Sequence, residues 1–494
     1  MTLLNGDRTL TLTGGMATVQ TTHRPRVAIL GAGPAGVTAA LSLARSGKAR
    51  VTVLERRDVV GGNAGSFMLE GVWCDHGSHR LHPVAEPRVL DEIRLVLGDD
   101  LLWRPRHGRI LLQNRWIHFP LKPFDLLSRV PKRFAATLAL DTISKVLPRK
   151  TESEENFATI LKRGLGPTIC NSFYYPYVRK LWGVEPNELA VTLAHRRVSG
   201  SSVSKMLRKI ARQIPGFKSE KAGGFYYPRK GFGQIITGLQ QSATAHGAQF
   251  MFDAEIRGIT CEDGRVTGLR YERKGETVLQ SVDAVWSTLP ISAMVSMIEP
   301  KAPAHVIDAA KKIRFRGMIL IYLVLEQNQF TEYDAHYFPE TSIPISRMSE
   351  PKNYSASKEP HNRTVLCAEL PSDPGEAEWD LSDQELGQRM CGWLEKAGLP
   401  VKAPVNKVIT RRLRFAYPVY DRNYEAHFRT MDGWLAGVNG LLTFGRQGLF
   451  AHDNTHHAMT MAYAAADCFS ENGEFDWQLW RRHRIEFESH VVED

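Results

Sequence analysis

Hydrophobic positions along this chain fall into short runs separated by glycine and polar residues. Val27 to Leu30 is a continuous apolar run of strand length, followed by glycines and an alanine-rich amphipathic stretch predicted as a helix through about Ser46. Arg50–Leu54, Asp283–Thr288 and Leu441–Phe444 repeat the short buried pattern, and Ala248–Glu255 is predicted as a further strand. The "EDGR" at 262–265 is turn sequence between two alternating strands, a hairpin. Helices are predicted after Gly231–Gly233 and from Thr455 onward, with Gly445–Gly448 as a loop between strand and helix. Short strands alternating with helices describe an α/β protein.

Residues 1–24 break this pattern. They are polar, lack the apolar core of a signal peptide and are expected to form a flexible tail; no apolar stretch is long enough to span a bilayer. At 494 residues the chain exceeds one hydrophobic core, so two intertwined domains are expected. The net charge of +10 is spread widely, with local concentrations near Pro131–Arg133, Arg208–Lys221 and Arg411–Arg414 and no nucleic-acid motif beside them. A solvated basic face is the plain reading, and nucleic acid is set aside as a partner. The six cysteines are scattered, with no C-x-x-C and no metal-ligand spacing to histidine. They are read as thiols in a reducing cytoplasm, and no metal site is expected.

The first glycines carry chemistry. Gly31-Ala-Gly33-Pro-Ala-Gly36 follows a strand directly and opens a helix, the arrangement in which a backbone turn approaches a pyrophosphate at a helix N-terminus. The second strand ends in Glu55, where a carboxylate accepts ribose hydroxyls. Beyond it, "ERRDVVGGNAGSF" carries a second glycine pair.

Three blocks in order resemble the superfamily of FAD-dependent amine oxidases, protoporphyrinogen oxidases and UDP-galactopyranose mutases. They are the opening turn with its E-x-x-x-x-x-G-G extension, "GGFYYPRKGFGQIITGL" with the following strands, and "GLLTFGRQGLFAHDNTHHAM". The resemblance implies a Rossmann-type FAD-binding domain of the two-dinucleotide-binding-domain kind, interleaved with a mixed α+β substrate domain. The cofactor domain is assigned to 25–85, 222–290 and 407–470, the substrate domain to 86–221 and 291–406, and 471–494 to a C-terminal helical segment. Non-covalent FAD is implied. At the cofactor the resemblance places Gly31, Gly33, Ala35, Gly36, Glu55, Arg56, Gly61, Gly62 and Asn63, with the Ile256 backbone at the adenine. Gly445, Arg446, Asn454 and Thr455 follow, the last two opening a helix whose N-terminus faces the flavin and favours its anionic reduced form.

On the substrate side the motifs divide. Asn63 in "GGN", "GSHRLHP" and "PYVRKLWGVEPNEL" are similar to the mutases; they imply His79 near flavin N5, Trp182 in the site, and Arg316 with Arg196 or Arg197 on a substrate diphosphate. The loop with Phe450, Ala451, His452 and Asn454 departs from the mutase pattern. Each residue also has a plain structural reading: His79 satisfying a backbone group, Trp182 a packing anchor, Arg196 and Arg197 surface charges or bridges to carboxylates.

The favoured reading is a flavin oxidoreductase that takes a hydride from a C–N, C–O or C–C bond of a moderately large substrate. His79, Arg316, Tyr417 and His452 then line the site, with Trp182, Arg196 and Arg197 on the substrate. The alternatives are a mutase acting without net redox on a nucleotide sugar through reduced flavin, and a flavin-binding interaction protein without catalysis. The substrate is expected to be a small molecule, anionic or lipid-like. Residues 115–150 mix aromatic, aliphatic and basic side chains, which suits a peripheral membrane contact as well as a core helix with a basic face.

Overall fold

The computed structural model describes residues 4–5, 8–9, 24–119, 129–144, 155–198 and 223–492. Five parallel strands form the sheet that carries the first glycine turn, in the order Gln249–Met251, Arg50–Leu54, Arg26–Leu30, Ala284–Ser287, Leu441–Thr443. A parallel sheet is covered on both faces, which is why its strands read as unbroken apolar runs and not as alternation. Val27, Ala28, Ile29 and Leu30 are accordingly all buried. The helix Pro34–Arg45 packs against the helix Thr455–Asp467, where Ala39, Ala40, Ala462 and Ala465 let the two backbones approach.

The single strand expected over 248–255 is two. Gln249–Met251 joins the parallel sheet; Asp253, at a φ of 54°, turns the chain, and Ala254–Glu262 starts an antiparallel sheet with Arg265–Arg273 and Glu276–Ser281. An aspartate tolerates the left-handed conformation that ends the first strand.

The substrate side is built on a seven-stranded sheet ordered Val405–Pro418, Phe315–Leu325, Thr364–Pro371, Arg347–Ser349, Ala335–Tyr337, Gly108–Leu112, Arg115–Phe119. Phe315–Leu325 is buried at every position after its first. Its antiparallel neighbour pairs with it from Val405 to Pro418, so this sheet extends beyond residue 406, where the sequence motifs suggested a return to the cofactor half.

Helices Phe157–Leu165, Tyr175–Trp182 and Val191–Val198 cover one end. Lys180 pins the second of them by donating to the carbonyls of Phe338, Glu340 and Ile345, and burial lowers its pKa to about 7.

Within 115–150, residues 120–128 and 145–150 lie outside the described residues, as does the basic stretch 208–221. The described part of 115–150 puts Val130 and Phe134 against Ile110, Leu112 and Ile117, a packing role for its apolar positions. Among the described residues no helix is long and apolar enough to cross a membrane.

Candidate active site

A Cβ on Gly36 would stand 1.9 Å from the Gly31 carbonyl oxygen, so the helix and its strand meet through glycine alone. Over Gly33 the same construction meets nothing within 4 Å. Gly33 is extended, with no side chain capping the helix behind it, so the first N–H groups of Pro34–Arg45 face that open space. Glu55 is buried at the end of the second strand and accepts from the Ala32 N–H at 2.9 Å and the Arg57 N–H at 3.0 Å. Gly61, at a φ of 119°, donates to the Ala32 carbonyl at 2.8 Å, and a Cβ on Gly62 would lie 3.3 Å from the Gly33 Cα. An open seat, an uncapped helix end and a carboxylate one strand away fit a dinucleotide.

The neighbouring positions differ from expectation in detail. Arg56 is exposed, whereas Arg57 turns inward and donates to the Gly62 carbonyl at 3.2 Å. The strand ends at Leu54 and the chain bends from Arg56 on, so no periodicity in the sequence marks Arg57 as the inward one. Ile256 is buried just beyond the bond from the Ala254 N–H to the Glu55 carbonyl. Asn63 donates to the Phe415 carbonyl at 3.3 Å, which ties the second glycine pair to the substrate-side strand. Gly445–Gly448 is a helical turn and not a loop, closed against the first helix where a Gly445 Cβ would lie 2.8 Å from that of Ala35.

The structure brings four predicted residues together. Tyr417 and His452 have ring centroids 5.2 Å apart, Trp182 lies 5.9 Å from His452 and 6.5 Å from Tyr417, and the Arg446 guanidinium sits 5.4 Å over Tyr417. Arg446 also donates to the Ala416 carbonyl at 2.7 Å. The Tyr420 hydroxyl fixes the loop beneath by accepting from the His452 N–H and donating to the Phe450 carbonyl, each at 2.9 Å. Asn454 then caps the helix Thr455–Asp467 in a reciprocal capping box with His457. The N-terminus of that helix begins two residues beyond the aromatic cluster, where its partial positive charge favours an anion.

His79 stands apart from these rings. It stacks on Phe232 at 5.2 Å, and its enclosed Nδ1 has no hydrogen-bond partner. Burial, then the charge of Arg347, lowers its pKa to about 3, so the imidazole is neutral at physiological pH. Phe232 is itself fixed by Asp75, which accepts from its N–H, from Ser66 Oγ and from the Tyr227 hydroxyl. Burial raises Asp75 to about 6.

Arg347 is the site residue that the sequence concealed. It lies on a three-residue strand with no motif around it, pairs with Glu369 through two bonds of 3.0 Å, and adds its charge at both His79 and Tyr417. Glu369 also accepts from the Ser78 N–H at 2.8 Å, so this pair holds the loop that presents His79.

Two expected phosphate ligands are committed elsewhere. Arg316 is buried in an ion cluster with Asp373 and Glu376 and donates to the Pro371 carbonyl at 3.2 Å. Arg196 lies 3.6 Å from buried Asp453 and over the Tyr420 ring, the carboxylate bridge that was its plain reading. The side chain of Arg197 falls outside the described residues. Asp453 also bonds His490 at 3.0 Å and, with His457, forms a group whose ligand atoms lie within 4.8 Å of one another; no spacing in the sequence suggested it.

Comparison with known proteins places the molecule. A model of the flavin containing amine oxidoreductases matches residues 34–466. The chain belongs to that family. Among solved structures, a reduced UDP-galactopyranose mutase shares 20% identity at a TM-score of 0.75, covering 90% of this chain and 93% of its own. A protoporphyrinogen oxidase candidate from Exiguobacterium sp. 255-15 shares 17% identity at 0.67, covering 90% and 98%. Cyclohexylamine oxidase from Brevibacterium oxydans IH-35A shares 14% at 0.63, covering 93% and 100%. At such identities the likeness is one of fold. No curated protein matches the sequence.

Proposed function

We propose that this protein is an FAD-dependent oxidoreductase that takes a hydride from a C–N, C–O or C–C bond of a moderately large substrate. The observation that carries the reading is the Trp182–Tyr417–His452 cluster with Arg446 on its edge, one turn from the helix end at Asn454. FAD, held non-covalently at the glycine seat, supplies the hydride-accepting ring. The aromatic cluster excludes water and orients an organic substrate, while Arg446 suits an anionic group on it. Neutral His79 offers an enclosed ring nitrogen and no positive charge.

One observation favours a second reading. Arg446, over the Tyr417 ring and close to the helix end at Asn454, is placed to meet a phosphate, which suits a mutase acting without net redox on a nucleotide sugar. Anaerobic mixing with candidate substrates separates the two. Bleaching of oxidised flavin without added reductant is expected for the oxidoreductase. Turnover that requires prior reduction by dithionite and yields no net oxidation would reject it in favour of the mutase.

A further inference from the structure

Arg411, on the strand Val405–Pro418, lies with its guanidinium carbon 3.9 Å from the Phe67 ring centroid. Its Nε is enclosed and makes no hydrogen bond, and among the described residues the guanidinium has no ion-pair partner. Its neighbour Arg412 is fully used, with Nε donating to the Trp379 carbonyl at 2.6 Å and NH1 to Thr410 Oγ1 at 2.8 Å.

The Phe67 ring that carries Arg411 lies 5.7 Å from the His76 ring, so Arg411 is brought towards other basic groups. Arg57 is lowered by burial first, with Glu55 opposing and the charges of Arg56 and Arg411 adding to the loss; His76, also lowered chiefly by burial, feels Arg57 and Arg411 as well. Arg57 and His76 both bond the Gly62 carbonyl, at 3.2 and 3.1 Å, and Gly62 abuts Gly33 beside the open seat. Two guanidiniums brought together from opposite halves of the molecule repel unless an anion stands between them. A diphosphate has the charge and the acceptor oxygens to fill that role.

We infer that Arg411 reaches from the substrate-side sheet to bind, together with Arg57, the diphosphate of the dinucleotide, so that cofactor binding ties the two halves of the molecule. This rests on the FAD reading above. The phosphate oxygens have two conceivable sources, the FAD diphosphate and a second, free nucleotide, and the inference commits to FAD.

Flavin-free protein is titrated with FAD, following quenching of flavin fluorescence, for the wild type, R411Q, R411K, R57Q and the R57Q/R411Q double variant. R411Q is expected to weaken FAD binding about tenfold or more, the loss typical of one bond to a charged group. R411K is expected to recover part of it, and the double variant to lose less than the sum of its parts because both arginines act on one group. Flavin-free R411Q is expected to melt within a few degrees of the flavin-free wild type, since the Arg411 side chain has no hydrogen bond to lose and gives up only its contact over Phe67. Equal FAD affinity in the wild type and R411Q overturns the inference. So does equal FAD affinity with loss of inorganic pyrophosphate binding to the FAD-loaded protein, which assigns Arg411 to a second anion. Failure of the wild type itself to take up FAD rejects the cofactor reading instead.

Discussion

Gly33 and Gly36 are three residues apart and fail differently when replaced. Gly33 has an ordinary extended backbone and open space around a Cβ, so valine at that position meets no clash there, costs about 1 kcal/mol as a poorer N-cap, and fills the seat of the pyrophosphate. Gly36 has a carbonyl 1.9 Å from where its Cβ would be, so alanine forces strand and helix apart. G33V is expected to purify without flavin yet lose only about 1 kcal/mol against the flavin-free wild type. G36A is expected to lose about 3 kcal/mol or more of stability whether or not flavin is added. Chemical denaturation and flavin absorbance of the two variants check this, and a G33V protein that keeps its flavin would contradict it. At this scale the sequence was informative where a motif has a backbone reason, as at Gly31, Gly36 and Glu55. It was silent where a residue acts through neighbours distant along the chain: nothing around Arg347 announces Glu369, and Arg56 and Arg57 look alike until the bend after Leu54 is known.

Elements show the same division. The short parallel strands were legible because burial on both faces leaves uninterrupted apolar runs, and the helix after Asn454 because its cap precedes it. The division over 248–255 was missed because a single left-handed aspartate has no compositional mark, and the reach of the last substrate-side strand because its exposed edge carries charges such as Arg414. Arg316 illustrates the consequence for function. It projects from the strand Phe315–Leu325, second in its sheet, into the loop after Thr364–Pro371, where Asp373 and Glu376 neutralise it. R316A is therefore expected to lower stability by about 1–3 kcal/mol, a buried charge pair being costly to break and these carboxylates being partly exposed. It is expected to leave ligand affinity within about twofold, since no free guanidinium is lost from the site. A thermal melt together with a nucleoside diphosphate titration separates the outcomes; a sharp loss of affinity with unchanged melting would return Arg316 to the substrate.

At the scale of the whole molecule, the interior holds an unusual share of neutral histidine. Burial lowers His76 and His457 to about 4, His79 and His456 to about 3, and His336 well below its ordinary value. In the unfolded chain each of these titrates near its ordinary pKa of about 6.5. Below that pH the unfolded state therefore binds more protons than the folded state, and stability falls as pH drops, by up to about 1.4 kcal/mol per pH unit for each histidine kept neutral. Asp75 works in the opposite direction. Its folded pKa of about 6 lies above the unfolded one, so between the two the folded state holds the extra proton and gains from acid. Glu350, also raised by burial, acts in the same sense as Asp75, but two carboxylates oppose five imidazoles, so the melting temperature of the flavin-free protein is expected to fall from about pH 7 to pH 5, inside the range where most proteins are at their most stable. His336 is fully buried with its ring edge-on to Trp116, which makes phenylalanine a replacement of similar shape. H336F is expected to melt with a shallower dependence on pH than the wild type, by about one proton in the slope. Melts at constant ionic strength across that range check both statements, and a flat wild-type profile would mean that these rings are protonated in the folded protein after all.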